Sequence, residues 1–418
     1  MIILASKVLP ITRPDIIRGG LVITGSKIID IGSRSKLLKK YPGEKVVDLG
    51  NRIVMPGLVN LHTHLDLSHM HGLVDECDDF FGWIMQLVEL KRKLGTKGAR
   101  TTAAKALAEA ISTGTTCIGD IAGTDTAIPA LKRSGVRGVI FIEALGLDER
   151  TAKAAYTNLA QRVMALKGLP DRLRAGISPH STYSVSRSLY NKINNITSSN
   201  RYSIAVHVSE TIDEHNYISG KPSGIDAYHK KFGWDGLKRN SGKTPIEFLK
   251  GLNLHNGLLA VHGVHLTKGD MAILKRSGAS VAHCPRSNHM LRVGKAPVEE
   301  LLAKGINVGI GTDSLASNTD LNLWEEMRFA YLVNRLTARQ VLEMATINGA
   351  KALGLGDVAG SLEPNKEADL IAINPRHFKN NGTCKDIVTL TGTEDIDLVM
   401  VQGRLLHISK ELKGRHGF

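Results

Sequence analysis

His62 and His64 lie two residues apart in VMPGLVNLHTHLDLS, residues 54–68, where an apolar run that reads as a buried strand comes to an end. Side chains two apart on a strand point to the same side, so both imidazoles can reach one metal ion. His-x-His alone is weak evidence in a chain with 16 histidines. Three later runs repeat the arrangement. His207 closes the apolar part of SIAVHVSET with Glu210 three residues on, His262 closes GLLAVHG, and Asp313 closes INVGIGTD. Imidazoles together with a carboxylate offer the nitrogen and oxygen donors preferred by zinc or ferrous iron. Each group sits where an apolar run stops, and in a parallel barrel the strand ends on one face are where chemistry collects.

Positioning such groups requires strands that alternate with helices. The apolar runs near 58–64, 115–121, 137–145, 173–179, 203–208, 258–263, 279–284 and 306–312 read as strands. Helical stretches lie between them, such as the Ala-rich TTAAKALAEAISTGTT, which ends at Gly114. This alternation predicts parallel βα units, and eight of them argue for a closed (β/α)8 barrel of the TIM type over an open sheet. The two ends differ from the middle. MIILAS, GGLVITGSKIIDIG and EKVVDLGNRIV at the start, with DLIAIN (369–374) and IDLVMVQGRLLH (396–407) near the finish, read as short strands. Residues 1–54 and 365–418 are therefore expected to pair into one small β domain, with a catalytic barrel over 55–364.

A chain of 418 residues has room for one large domain and one small one. No apolar run reaches the length of a membrane span. The opening MIILASKVLPITRPD does not read as a secretory signal, and Cys77, Cys117, Cys284 and Cys384 show no Cys-x-x-Cys spacing. A cytoplasmic protein without disulfides is expected. The formal net charge of +14 raises the question of a nucleic-acid partner. The basic residues are scattered, however, and aromatics make up only 5%. A solvated basic surface, with no nucleic acid and no membrane, is the better reading, and such a field also suits an anionic small substrate. GLKRNSGKT, 236–244, misses the phosphate-loop spacing by one residue and follows no strand. Asn195 and Asn381 open glycosylation-like triplets, which carry no meaning in a cytosolic chain.

PGLVNLHTH, HVSET, VHGVHL, HCPRSN and GTDSLASN occur in this order, followed by TINGAKALGLGDVAGSLEPNKEADL. With these motifs the chain resembles, nearly end to end, the amidohydrolase superfamily in its chlorohydrolase and nucleoside-deaminase branch. The resemblance implies the barrel with a β-sandwich from both ends. It makes His62, His64, His207 and Asp313 the ligands of a divalent metal, zinc or iron. Glu210 becomes the proton shuttle to the substrate ring, His262 orients the attacking water, and Asp313 takes its proton. Two-metal members bridge their ions with a carboxylated lysine after the fourth strand. Here that strand ends RAGISPHSTYS, without a lysine, so one metal is expected.

Within the branch, HTHLDLS, FFGWI (80–84) and HCPRSNHML resemble the deaminases of 6-aminodeoxyfutalosine, a carboxylated adenine nucleoside of menaquinone biosynthesis. Asp66 stands where that group is expected to carry Glu. Deamination of S-adenosylhomocysteine or methylthioadenosine, or chlorohydrolase and other aminohydrolase chemistry on an N-heterocycle, is the alternative. A non-catalytic relative keeping the barrel as a scaffold would have lost ligands, and none is lost. For substrate contacts, Arg286 can pair with a carboxylate through its planar fork, or it can bond loop carbonyls. His180 and Tyr183 can touch ribose or ring, or pack a loop. Trp83 and Phe81 can wall a ring, or seat a helix on the core. The polar stretch 211–250 reads as a lid or part of a homo-oligomer contact. His283 reads as lying behind the ligands.

Overall fold

The computed structural model describes every residue except 76, 78, 201, 232, 235–240, 253–256, 379–381 and 417–418. Gly236 of the near phosphate loop and Asn381 of the second glycosylation-like triplet lie outside the described residues.

Both chain ends contribute to one sheet. Its strands are β1 (Ile2–Val8), β2 (Ile16–Thr24), β3 (Lys27–Ser33), β4 (Val46–Asp48) and β5 (Ile53–Pro56) from the start, with β14 (Leu370–Ile373), β15 (Ile396–Val401) and β16 (Arg404–Ile408) from the finish. Their order is β16-β15-β14-β5-β1-β2-β3, with β4 beside β1. The sheet is mostly antiparallel; only β4 and β5 run parallel to β1. Ile3, Leu21, Ile28, Val47, Val54, Leu370 and Leu398 meet in one apolar cluster, so strands from both ends share a core.

Between these ends lie the eight parallel strands expected from the apolar runs. They are β6 (Leu58–Thr63), β7 (Thr115–Ala122), β8 (Arg137–Ala144), β9 (Leu173–Pro179), β10 (Ser203–Val208), β11 (Leu258–His262), β12 (Ser280–His283) and β13 (Asn307–Ile310). They pair in chain order from β6 to β13. Val59, Leu61, Val139, Phe141, Val261 and Ala282 form a cluster of residues spaced by two along their strands, which is how a strand fills a barrel interior. The ring closes where Thr63 bridges Asp313, and the Asp313 amide donates to the His62 carbonyl at 3.0 Å. Gly311 permits this approach, because a Cβ there would stand 2.8 Å from the His62 Cβ and 2.9 Å from its amide nitrogen.

Arg137, which opens β8 at the barrel base, pairs with Asp369 at the head of β14, and both side chains are buried. This pair ties the barrel to the sheet of the chain ends. The polar stretch after β10 carries three helices, Ile212–Ser219, Gly224–Lys231 and Pro245–Lys250. Ile218, Ile225, Tyr228, Phe248 and Leu249 on these helices join the main core. The four cysteines are free thiols, as expected. No helix among the described residues is long and apolar enough to cross a membrane.

Candidate active site

Each strand end delivers its polar group by a local device. At the end of β10, Ser209 adopts φ 53, Glu210 follows, and the Thr211 hydroxyl caps the next helix by accepting from the Glu214 amide at 3.1 Å. SET is thus a turn and a cap, with Glu210 held between them. At the end of β11, His262 has φ 70, and beyond β13 Asp313 has φ 62. Non-glycine residues enter this region only when the surroundings force them, and such strain clusters at functional sites. In HCPRSN, Pro285 opens the helix Pro285–Met290. Its first turn carries Ser287, whose hydroxyl donates to Asp313 Oδ2 at 2.6 Å, and Asn288, whose Oδ1 accepts from His262 Nδ1 at 2.8 Å.

His62, His64 and His207 converge, with one ligating nitrogen from each lying within 4.8 Å of the others. Asp313 Oδ1 stands 3.4 Å from His62 Nε2 and 3.6 Å from His64 Nε2. Asp313 Oδ2 is occupied by Ser287 and by Ser317, 2.9 Å away, which leaves Oδ1 for the histidines. The His180 carbonyl accepts from His207 Nδ1 at 2.9 Å, so His207 Nε2 carries a lone pair. That lone pair faces His64 Nε2 at 3.2 Å. Both ring nitrogens of His62 are buried without a hydrogen-bond partner. Orphaned imidazole nitrogens and a lone pair turned toward a second ring nitrogen fit a cation. Burial holds His64 and His207 well below the ordinary histidine range, with further lowering from neighbouring histidines. They are therefore neutral, which is the ligating form. Burial opposes the charge on Asp313, yet the nearness of His62 and the fields of His62, His262 and His64 hold its carboxyl well below the usual range.

Glu210 Oε1 lies 3.4 Å from His262 Nε2. Burial, and then the Asp313 charge, raise the Glu210 carboxyl well above the usual carboxylate range. A carboxyl tuned upward beside one tuned downward is the arrangement that acid–base chemistry at neutral pH requires.

A cavity opens onto these groups, and His64, His207, Glu210, His262 and Asp313 all reach it. Trp83, His180 and Tyr183 line it. His180 packs its ring 5.0 Å from that of His207. Trp83 donates its indole N–H to the Ala316 carbonyl at 3.3 Å. Phe81 lies behind the wall, its ring against Tyr183 and Tyr228. His283 turns away to Asn334 Oδ1 at 3.2 Å.

Arg286 is a correction. It does not line the cavity; its guanidinium pairs with Asp320 at 2.8 and 3.1 Å and lies 3.6 Å from Glu326. Its fork is already filled by a carboxylate of this chain. Sequence reasoning also passed over three groups. Asn288 fixes the His262 tautomer, while Lys91 and Glu143 line the cavity. Glu143 left a signal, as a lone acid in the apolar run VIFIEAL. Lys91 left another, at helical spacing from Trp83, Leu87 and Val88.

A parallel barrel with histidines and carboxylates gathered at the ends of its strands defines a hydrolase of the metal-dependent kind. The profile of the amidohydrolase family matches residues 53–406, and the chain belongs to that family. A 5-methylthioadenosine/S-adenosylhomocysteine deaminase from Desulfitobacterium hafniense is 30% identical over 427 residues, covering 98% of this chain and 94% of that protein. Two solved structures share the fold. Helicobacter pylori aminofutalosine deaminase in complex with methylthio-coformycin aligns with TM-score 0.85 and 24% identity, over 97% of this chain and 99% of its own. A zinc-bound adenosine deaminase from Xanthomonas campestris aligns with TM-score 0.83 and 23% identity, over 98% and 93%.

Proposed function

We propose that this protein is a metal-dependent aminohydrolase that converts the 6-amino group of an adenine nucleoside to a carbonyl with release of ammonia, and that 6-aminodeoxyfutalosine is its preferred substrate. The observation that carries the reading is the convergence of His62, His64 and His207 beside a cavity that His64, His207, Asp313, Glu210 and His262 line. The full-length relative named as a nucleoside deaminase supports it.

His62, His64, His207 and Asp313 would hold one divalent ion, zinc or iron, which when bound supplies the Lewis acidity that makes water nucleophilic near neutral pH. His262 Nε2, with its Nδ1 committed to Asn288, orients the attacking water. Asp313 accepts the water proton. Glu210, raised by burial, protonates the ring nitrogen beside the reacting carbon, so no negative charge accumulates there. The carbon–nitrogen bond to the amino group then breaks as Asp313 passes its proton to the departing ammonia, and the proton left on the new C–OH restores Glu210 as the carbonyl forms.

The proposal includes a β domain of residues 1–54 and 365–418, a catalytic domain of 55–364, and a cytoplasmic setting in menaquinone biosynthesis. A 265 nm absorbance screen of adenine nucleosides, paired with ammonia and metal analysis, tests it. Absence of ammonia from every nucleoside would defeat the deaminase reading. Two stoichiometric metals in a fully active preparation would defeat the single-metal site. A kcat/KM for S-adenosylhomocysteine above that for aminodeoxyfutalosine would move the substrate to the named activity of the Desulfitobacterium relative.

A further inference from the structure

The helix Phe80–Leu94 presents Phe80, Trp83, Ile84, Leu87 and Val88 to the cavity at helical spacing, and the next position on that face is Lys91. A lysine ending an apolar stripe that faces a cavity is out of pattern. Arg92 and Lys93, its neighbours, do not line the cavity. Glu143, next to last in β8, reaches the same cavity, and only 9% of its surface is exposed. Among the described residues, neither the Lys91 ammonium nor the Glu143 carboxyl has a hydrogen-bond or ion-pair partner. The positive field of Lys91 nonetheless reaches His64, His180 and Glu143.

An unpartnered carboxyl that is mostly buried is costly unless a ligand satisfies it. Burial pushes Glu143 up to about 7, so a partner that offers neutral donors suits it better than one that demands full charge. Sugar hydroxyls are such donors. Lys91, by contrast, is a compact cation on the cavity wall, and although its field reaches the carboxyls of Asp66 and Glu143, neither is bonded to it.

We infer that Lys91 and Glu143 read the part of the substrate beyond its ring: Lys91 receives an anionic group on the 5′ arm, and Glu143 accepts hydrogen bonds from the ribose hydroxyls. The inference rests on the nucleoside-deaminase reading and gives Lys91 the carboxylate that Arg286 cannot take. Specificity for a carboxylated nucleoside then comes from a lysine on the helix after β6, and recognition of the riboside from an acid on β8.

Binding is measured by calorimetry in a Glu210→Gln background, where substrate persists, and turnover is measured with Glu210 present. Aminodeoxyfutalosine and methylthioadenosine differ in the carboxylate and share the ribose. Lys91→Met is expected to weaken aminodeoxyfutalosine roughly tenfold or more, with methylthioadenosine changed less than about twofold, and Lys91→Arg to restore most of the loss. Glu143→Gln is expected to weaken both ribosides alike, and 2′,3′-dideoxyadenosine hardly at all. Equal losses for both ribosides in Lys91→Met would overturn the role of Lys91. An equal loss for the dideoxy nucleoside in Glu143→Gln would overturn that of Glu143. If the two groups merely neutralise each other, each single variant lowers Tm, the double variant restores it, and no substrate discrimination appears; this too overturns the inference. Discrimination in binding without ammonia release would uphold the contacts and defeat the deaminase reading instead.

Discussion

Glu210→Gln separates proton transfer from metal binding at this site. The Glu210 carboxyl is buried, and its neighbour His262 stands 3.4 Å away, beyond a good hydrogen bond. Glutamine preserves its volume, and no described residue donates to the carboxyl, so no strong bond is broken. Glu210 is not among the three converging histidines, and its backbone stays fixed because its amide donates to Glu214 Oε2 at 3.1 Å. The variant should therefore fold with a nearly unchanged Tm and retain its metal. What it loses is a proton carrier. General acid–base groups typically contribute about 10²–10⁴ in rate, which at about 1.36 kcal/mol per decade is roughly 2.7–5.4 kcal/mol of barrier. The assay is kcat from the 265 nm change, with metal content by plasma mass spectrometry on the same preparation. A kcat within threefold of the parent at full metal occupancy would falsify the shuttle role. Metal loss in proportion to activity would make Glu210 a ligand instead.

Three further changes probe the scaffold. Gly311→Ala places a methyl 2.8 Å from the His62 Cβ, and should cost about 1–3 kcal/mol in stability and weaken metal retention; an unchanged metal off-rate would refute the close-packing argument. Asp369→Asn leaves the buried Arg137 charge with only Glu367, 4.0 Å away, and should cost about 3–5 kcal/mol by denaturant titration, with kcat retained on the folded fraction. A loss below 1 kcal/mol there would show that the pair does not couple barrel and sheet. Arg286→Ala should lower Tm and reduce kcat/KM for aminodeoxyfutalosine and methylthioadenosine by the same factor; a selective loss of the carboxylated nucleoside would reinstate Arg286 as a substrate contact.

The barrel strands were legible because a strand buried on both faces leaves a continuous apolar run, and the residue that ends the run announces itself by being polar. His62, His64, His207, His262 and Asp313 each stand at or just beyond the end of such a run. The terminal strands were legible for a similar reason, with turn residues dividing short apolar runs. The helices within 211–250 were not legible, because they are short and amphipathic and only their packing shows which face is buried.

The sequence by itself thus determined the order of strands and helices and the residues that terminate them, since both follow from local periodicity and from the type of residue at each break. Tertiary structure alone decided the partners. Arg286 met Asp320 rather than a ligand because a loop more than thirty residues away folds over it. Lys91 and Glu143 share a cavity because a helix after β6 lies across the end of β8. The left-handed backbone of His262 and Asp313 belongs to the same class. No local signal marks it, because a non-glycine residue takes that conformation only when the surrounding packing forces it.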